Sequence, residues 1–338
     1  MGIVGSVNKV NNRSRIVSLD IAKFILSFFI VGIHTLGKYG LYPISRCAVP
    51  LFFMISSYLL WQRFDGKNDL NIIKKFIIRN LQLYIFWFVA LLPFILVNGG
   101  YLQGNIVMNL IKLVGKFFVS STFPASWYIV ALIIGTLIVY FLRKYINRYI
   151  VFALCCISYI LCCLCSNYFY LFEGTVVHTA YLLYPGTIYN SFPVSLLWIA
   201  LGSFFATKER CVSPKRCGIL TAVFVVLLFV EHLVTTKHEY VQDNDCYFML
   251  VPLCCCIFVM LINWNLSCKW SAKMCNISTI VYCSHGVIAG LFKNKINPDC
   301  WYLYVLVFIL TLLVSITVSF VILKLEKIKW LHWLRFSH

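Results

Sequence analysis

Long apolar blocks separated by short polar and basic links recur from one end of this chain to the other. A helix needs roughly 20 apolar residues to cross a bilayer. On that measure the pattern predicts an all-α integral membrane protein with about ten transmembrane helices. The first six run over Arg15–Leu36, Pro43–Trp61, Phe76–Val97, Ser126 to just before Arg143, Tyr149–Ser166 and Asn190–Ala206. A seventh ends near Thr235, an eighth near Ile262, and the last two cover Ile277–Phe292 and Trp301–Leu323. Between the third and fourth, the moderately amphipathic stretch Ile106–Phe118 reads as interfacial or re-entrant. The whole of 1–338 reads as one membrane domain, with 1–14 and the basic stretch 325–338 as tails. His178, His238, His332 and His338 fall in links or in the second tail and read as solvated.

The first block breaks the apolar pattern in an informative way, because it carries Asp20, Lys23 and His34. Ionisable groups at membrane depth are costly and mark function by default. Lys23 and His34 are eleven positions apart, which at 3.6 residues per turn leaves them within about 20° of one another on the helix surface. Asp20 lies one turn below Lys23 on nearly the same side, placed to keep that amine charged and oriented. The helix therefore offers a carboxylate and an amine near its start and an imidazole roughly 16 Å further along.

Composition fits this picture: 61% of residues are hydrophobic and 12% charged. The net charge of +18 invites a nucleic-acid partner, but its distribution argues against one, since no basic face or nucleic-acid motif is present. The basic residues gather instead in alternate links. Lys9, Arg13, Arg63, Lys67, Lys74, Lys75, Arg143, Lys144, Lys208, Arg210, Lys269, Lys273, Lys327 and Arg335 fall on one side. The positive-inside rule makes that side the cytoplasm, with both termini there. No signal-peptide cleavage site follows the first block, which reads as the first permanent span. The 16 cysteines lack the spacing of a zinc site and read as small packing residues. Cys246 and Cys300 fall on the outer side, where a bridge could form. No metal is expected.

In this orientation Arg46, near the start of the second span, lies at about the depth of His34. Pro50 follows, then the hydroxyl pair Ser56 and Ser57, and the proline is expected to free a backbone carbonyl one turn earlier. The stretches DIAKFILSFFIVGIH, RCAVPLFFMISSYLL, SWYIVALIIG and STIVYCSHG together resemble membrane acyltransferase family 3. The resemblance covers nearly the whole chain, including the number and order of spans. Lys23 and His34 match the family's basic residue, ten others and histidine, with lysine where arginine is commoner. That choice is similar to the branch of fucose-type acetylases and the membrane domain of vancomycin-resistance serine racemases. Phe52, Phe53 and Ser56 match the apolar run of the second span, but Ser57 stands where glycine is usual, which bears on how closely helices approach there. Trp127 matches the aromatic pair opening the fourth span, and His285 the late histidine, here separated from Tyr282 by Cys283 and Ser284.

The resemblance implies transfer of an acyl group, mostly acetyl, from cytoplasmic acyl-CoA to a glycan or glycolipid of a bacterial envelope, in the cytoplasmic membrane. The chemistry of such a transfer makes His34 the candidate general base, Arg46 a candidate stabiliser of developing negative charge or acceptor ligand, and Lys23 with Asp20 the candidates for the donor side. Trp127, Ser56, Glu231 and His285 are the candidate substrate-binding residues. The racemase branch implies an alternative: a permease of the same fold that moves a small polar solute such as serine.

Overall fold

The computed structural model describes residues 15–36, 42–64, 66–67, 69–119, 121–172, 174–176, 179, 187–207, 213–237, 245–296 and 300–338. The expected tail 1–14, His178, His238, Lys208 and Arg210 lie outside them. Every regular element described is helical. In chain order the α-helices begin with α1 (Val17–Thr35), α2 (Tyr42–Ser45), α3 (Ala48–Trp61), α4 (Asp69–Ala90) and α5 (Leu92–Asn98). There follow α6 (Ile106–Val119), α7 (Trp127–Tyr145), α8 (Arg148–Leu164) and α9 (Phe192–Thr207). The last are α10 (Pro214–Thr235), α11 (Leu250–Asn263), α12 (Ser271–Ile296) and α13 (Trp301–Leu325).

Among the described residues, six segments are long and apolar enough to cross a membrane: α1, α2 with α3, α7, α10, α12 and α13. A seventh exists if α4 and α5, bent by 63° to one another, form one span. The ten blocks expected as spans are therefore all helical, but α8, α9 and α11, with 17, 16 and 14 residues, are shorter than a straight crossing requires. The outer faces are those of a membrane protein. On α13 the buried positions Val307, Thr311, Ser315, Ser319 and Leu323 form one i, i+4 stripe, while Ile309, Leu313, Phe320 and Val321 face outward. The small residues of that stripe let α13 lie close along α12, a frequent device between membrane helices. On α6, Ile106, Val107, Leu110, Ile111 and Val114 are exposed.

The most extensive packing joins α3 to α9 and α1 to α12. The first contact answers the question raised by Ser57. A Cβ on Gly202 of α9 would strike the Met54 backbone oxygen and the Ser57 Cβ, so the glycine that permits close approach sits on the facing helix. Ser57 then donates its hydroxyl to Ile199 O at 2.6 Å, which satisfies it inside the bundle. Pro50 falls in the first turn of α3, where its missing N–H costs little. The break expected from it occurs at Arg46 and Cys47, between α2 and α3.

Two expectations change. The segment after α13 is not a solvated tail: Lys329–Ser337 forms a 3-10 helix packed on α4, with the Trp87 indole N–H donating to Ser337 O at 3.0 Å. Trp330 and Trp333 point outward from it, as aromatics do at a membrane boundary. The described cysteines are free thiols, with Cys246 buried and Cys300 exposed, so the two form no bridge.

Candidate active site

Helix α1 sets the frame, and we call the end where it begins the lower end. The carboxylate near its start is not paired as its spacing suggests. Asp20 accepts a bond from the Arg15 guanidinium, which reaches back from the extended residues preceding the helix. A guanidinium matches a carboxylate better than an ammonium does, and a carboxylate in the first turn is favoured by the helix dipole. Lys23 is thereby left to face a cavity of about 360 Å³ at the lower end.

The walls of that cavity bring Arg63, Lys75 and Arg79 together with Lys23, alongside Asn80, Asn276 and Thr279. His338 lines it as well, only 10% exposed, with Nε2 3.5 Å from the Glu326 carboxylate. Burial pushes this imidazole below its ordinary pKa, with Glu326 opposing and Arg79 adding to the effect. It had been expected in solvent. A larger cavity of about 770 Å³ lies beside the α3–α4 link, lined by Lys67, Arg143 and Lys144. It contains none of the candidate residues, so size alone is a poor guide to the chemistry here.

Aromatic rings also line the Lys23 cavity. Phe52, Tyr128 and Tyr282, from α3, α7 and α12, have mutual centroid distances of 6.1, 5.9 and 5.3 Å. Ser56 lies at this layer, its hydroxyl 3.2 Å from that of Tyr128. Tyr282 donates to Ala125 O at 2.8 Å. Ala125 has φ +68°, an uncommon backbone state for a residue with a side chain, so this bond helps hold the turn that opens α7. The same turn presses on α12 where a Cβ on Gly286 would strike Pro124. The close approach fixes the backbone beside His285.

Above the layer the two candidate histidines meet. His34 and His285 have ring centroids 5.1 Å apart. His34 is exposed, whereas His285 is wholly buried behind it. Arg46 and Lys293 are both near enough to act on His34 electrostatically. Arg46 pairs with the Asp245 carboxylate and donates to the Tyr42 hydroxyl, and its guanidinium carbon is 4.5 Å from the Tyr42 ring centroid. Together with Trp127, Pro50 and Asn190 it lines a narrow recess at the upper end.

Of the residues expected to meet substrate, Ser56 and Trp127 therefore line open space, while His285 and Glu231 are buried against protein. The Glu231 carboxylate accepts from the Tyr168 hydroxyl at 2.7 Å and from the backbone N–H groups of Phe248 and Met249 at 2.7 and 2.9 Å. It clasps the N-terminus of α11, where a negative charge is favoured. Burial, then the bond to Glu231, raises the Tyr168 phenol far above its ordinary pKa, so it stays a donor. The sequence reading missed Asp245 and Tyr128. Asp245 carried a signal: it is an acid beginning an apolar run at the depth of Arg46. The sequence reading also treated Arg63 and Lys75 as markers of topology alone, and Arg79 is a further cation that the cavity brings in.

Comparison with known proteins finds distant relatives and a matching family. A relative named "Amino-acid racemase" from Enterococcus faecalis is 24% identical over 296 residues, covering 82% of this chain and 41% of the relative. A "Serine/alanine racemase" of Enterococcus gallinarum is 25% identical over 272 residues, covering 75% and 38%. The chain thus spans less than half the length of these curated relatives. No solved structure matches. The family described as "Acyltransferase domain" matches residues 16–323, and the chain belongs to that acyltransferase family.

Proposed function

We propose that this chain is a membrane O-acyltransferase that carries an acyl group, acetyl being the simplest, from acyl-CoA to a hydroxyl of an envelope glycan or glycolipid. One observation supports the reading above others: Lys23, in a cation-lined cavity, and the exposed His34 lie along one helix, and the Tyr282 ring that lines the cavity is 6.0 Å from the ring of His285, which neighbours His34. The phosphates of the donor pair with Lys23, Arg63, Lys75 and Arg79. The pantetheine arm passes the Phe52, Tyr128 and Tyr282 layer and brings the thioester up to His34. There the imidazole takes the proton of the acceptor hydroxyl as its oxygen attacks the thioester carbon. Arg46, held in place by Asp245 and Tyr42, supplies positive charge beside the developing oxyanion.

Because acyl-CoA is a cytoplasmic donor, the lower end faces the cytoplasm in this reading, the acceptor arrives from the opposite side, and the protein resides in the bacterial cytoplasmic membrane. The basic residues of the lower end agree with that orientation. A second reading draws on the names of the racemase relatives: a carrier that moves a small amino acid such as serine past the same layer. Sealed vesicles holding the purified protein separate the two. With labelled acetyl-CoA on the lower-end side and an envelope fraction on the other, transfer puts label into the acceptor and consumes acetyl-CoA. Accumulation of labelled serine with acetyl-CoA left intact would favour the carrier and remove the transferase reading.

A further inference from the structure

His285 has a free valence that acyl transfer as described leaves unused. Its Nδ1 lies 2.7 Å from Tyr282 O and 3.2 Å from Val281 O. A carbonyl oxygen only accepts, so Nδ1 carries the hydrogen, and in the neutral ring Nε2 is an acceptor alone. That Nε2 is sealed from solvent and has no hydrogen-bond partner among the described residues. A buried acceptor left unmet costs about 1–3 kcal/mol, so its retention inside the bundle asks for a donor.

His34 is the donor within reach. Ring nitrogens project roughly 1 Å beyond the centroid, so two imidazoles joined by an N–H···N bond of about 2.9 Å have centroids about 5 Å apart. The observed separation is 5.1 Å, with the planes inclined at 39°. His34 stands at the exposed end of α1 and makes no hydrogen bond to another described residue, so its ring is free to turn until an N–H meets Nε2. The charged groups bearing on His34 are Arg46, from the break between α2 and α3, and Lys293, from α12. Asp245 is engaged with Arg46. The group against His34 is thus a neutral ring where triads of this logic often use a carboxylate.

We propose that His285 is the positioning residue for His34. Its Nε2 accepts the His34 N–H and fixes the tautomer in which the other His34 nitrogen faces the acceptor hydroxyl. The inference rests on the acyl-transfer reading and deepens it. In the step itself the acceptor O–H bond breaks and its proton passes to the free nitrogen of His34. The oxygen bonds to the thioester carbon, the C–S bond breaks with its electron pair going to sulfur, and the proton from His34 completes the thiol. Ester and free thiol are the only products. While His34 holds the proton, its N–H···Nε2 bond to His285 is charge-assisted and stronger than in the neutral state.

Two substitutions at one site test this. His285→Leu fills the space and removes the acceptor, while His285→Gln offers an amide oxygen at about the place of Nε2. A structural role alone predicts that leucine is tolerated, since a buried unmet acceptor has gone. Positioning predicts the reverse order. With labelled acetyl-CoA and an envelope fraction as acceptor source, His285→Leu should lose about 100-fold or more in kcat with KM for acetyl-CoA unchanged. It should unfold no sooner on heating than the native protein. His285→Gln should stay within about tenfold of native, with its pH–rate profile displaced. Leucine within about threefold of native, or glutamine falling as far as leucine, would overturn the proposal. Should the leucine variant fail to reach the membrane, His285→Asn replaces it and is held to the same thresholds, since its shorter amide offers no acceptor toward His34. The native protein is the control: transfer unaffected by leucine sinks the positioning role alone, whereas no transfer by the native protein sinks the transferase reading and this inference with it.

Discussion

At the lower end of α1, Lys23 faces an open cavity among other cations, whereas at the upper end Arg46 is committed to Asp245 and Tyr42. The contrast separates two uses of positive charge. Cations with no carboxylate partner among the described residues, gathered around a space of about 360 Å³, suit a polyanion that arrives and leaves. A guanidinium tied at several points keeps one orientation, as a group must when geometry rather than affinity is its contribution. Arg15 is likewise tied, because it pairs with Asp20 and so leaves Lys23 unclaimed.

The comparison can be broken at three places. The largest effect is expected at the upper end, where His34→Gln can still hydrogen-bond but cannot cycle a proton. A general base contributes typically about 10²–10⁴-fold, so transfer of label from acetyl-CoA should fall by that factor while membrane insertion is unchanged. A glutamine variant working near the native rate would take the base role from His34. Next comes Asp245→Asn, which leaves the Arg46 charge without its counter-ion. The two side chains are 17% and 11% exposed, so the loss should fall below the roughly 3–5 kcal/mol of a fully buried pair and is readable as a lowered unfolding midpoint in detergent. Adding Arg46→Met should recover most of the stability and none of the activity. If the single variant is as stable as the native protein, Arg46 is not held as described. The smallest effect is expected at the lower end. Lys23→Ala removes one of several phosphate partners and should raise KM for acyl-CoA about tenfold, in line with a charge-assisted bond of about 1.5–3 kcal/mol partly compensated by its neighbours. Lys23→Arg should restore it. Equal KM values for the alanine and native forms would remove Lys23 from the donor site.

How much of this was legible in advance follows from the range of each interaction. Helical periodicity is local, so the shared face of Lys23 and His34 and the helical nature of every apolar block could be read from spacing. The Asp20 partner was misjudged because an i, i+3 neighbour was assumed to win, while Arg15 approaches from outside the helix where no periodicity applies. Arg46 with Asp245, and His34 with His285, join residues about two hundred positions or more apart. Such pairs are fixed by how helices pack, and no spacing encodes them. His338 was invisible for a related reason: nothing in a basic, tryptophan-bearing stretch says that it will fold back onto α4 and wall a cavity.

The aromatic layer of Phe52, Tyr128 and Tyr282 carries a last consequence, for the cell's energy supply. A cavity entered from one face and a histidine open toward the other would, if joined by water, form a wire for protons. Each elementary charge crossing a membrane releases about 2.3 kcal/mol per 100 mV, so even a slow leak through many copies would drain the potential that the membrane maintains. Three rings with centroids 5.3 to 6.1 Å apart narrow the path at that point. If the chain transfers acyl groups as proposed, the pantetheine arm would fill the gap between them, and the donor would serve as its own stopper during each turnover.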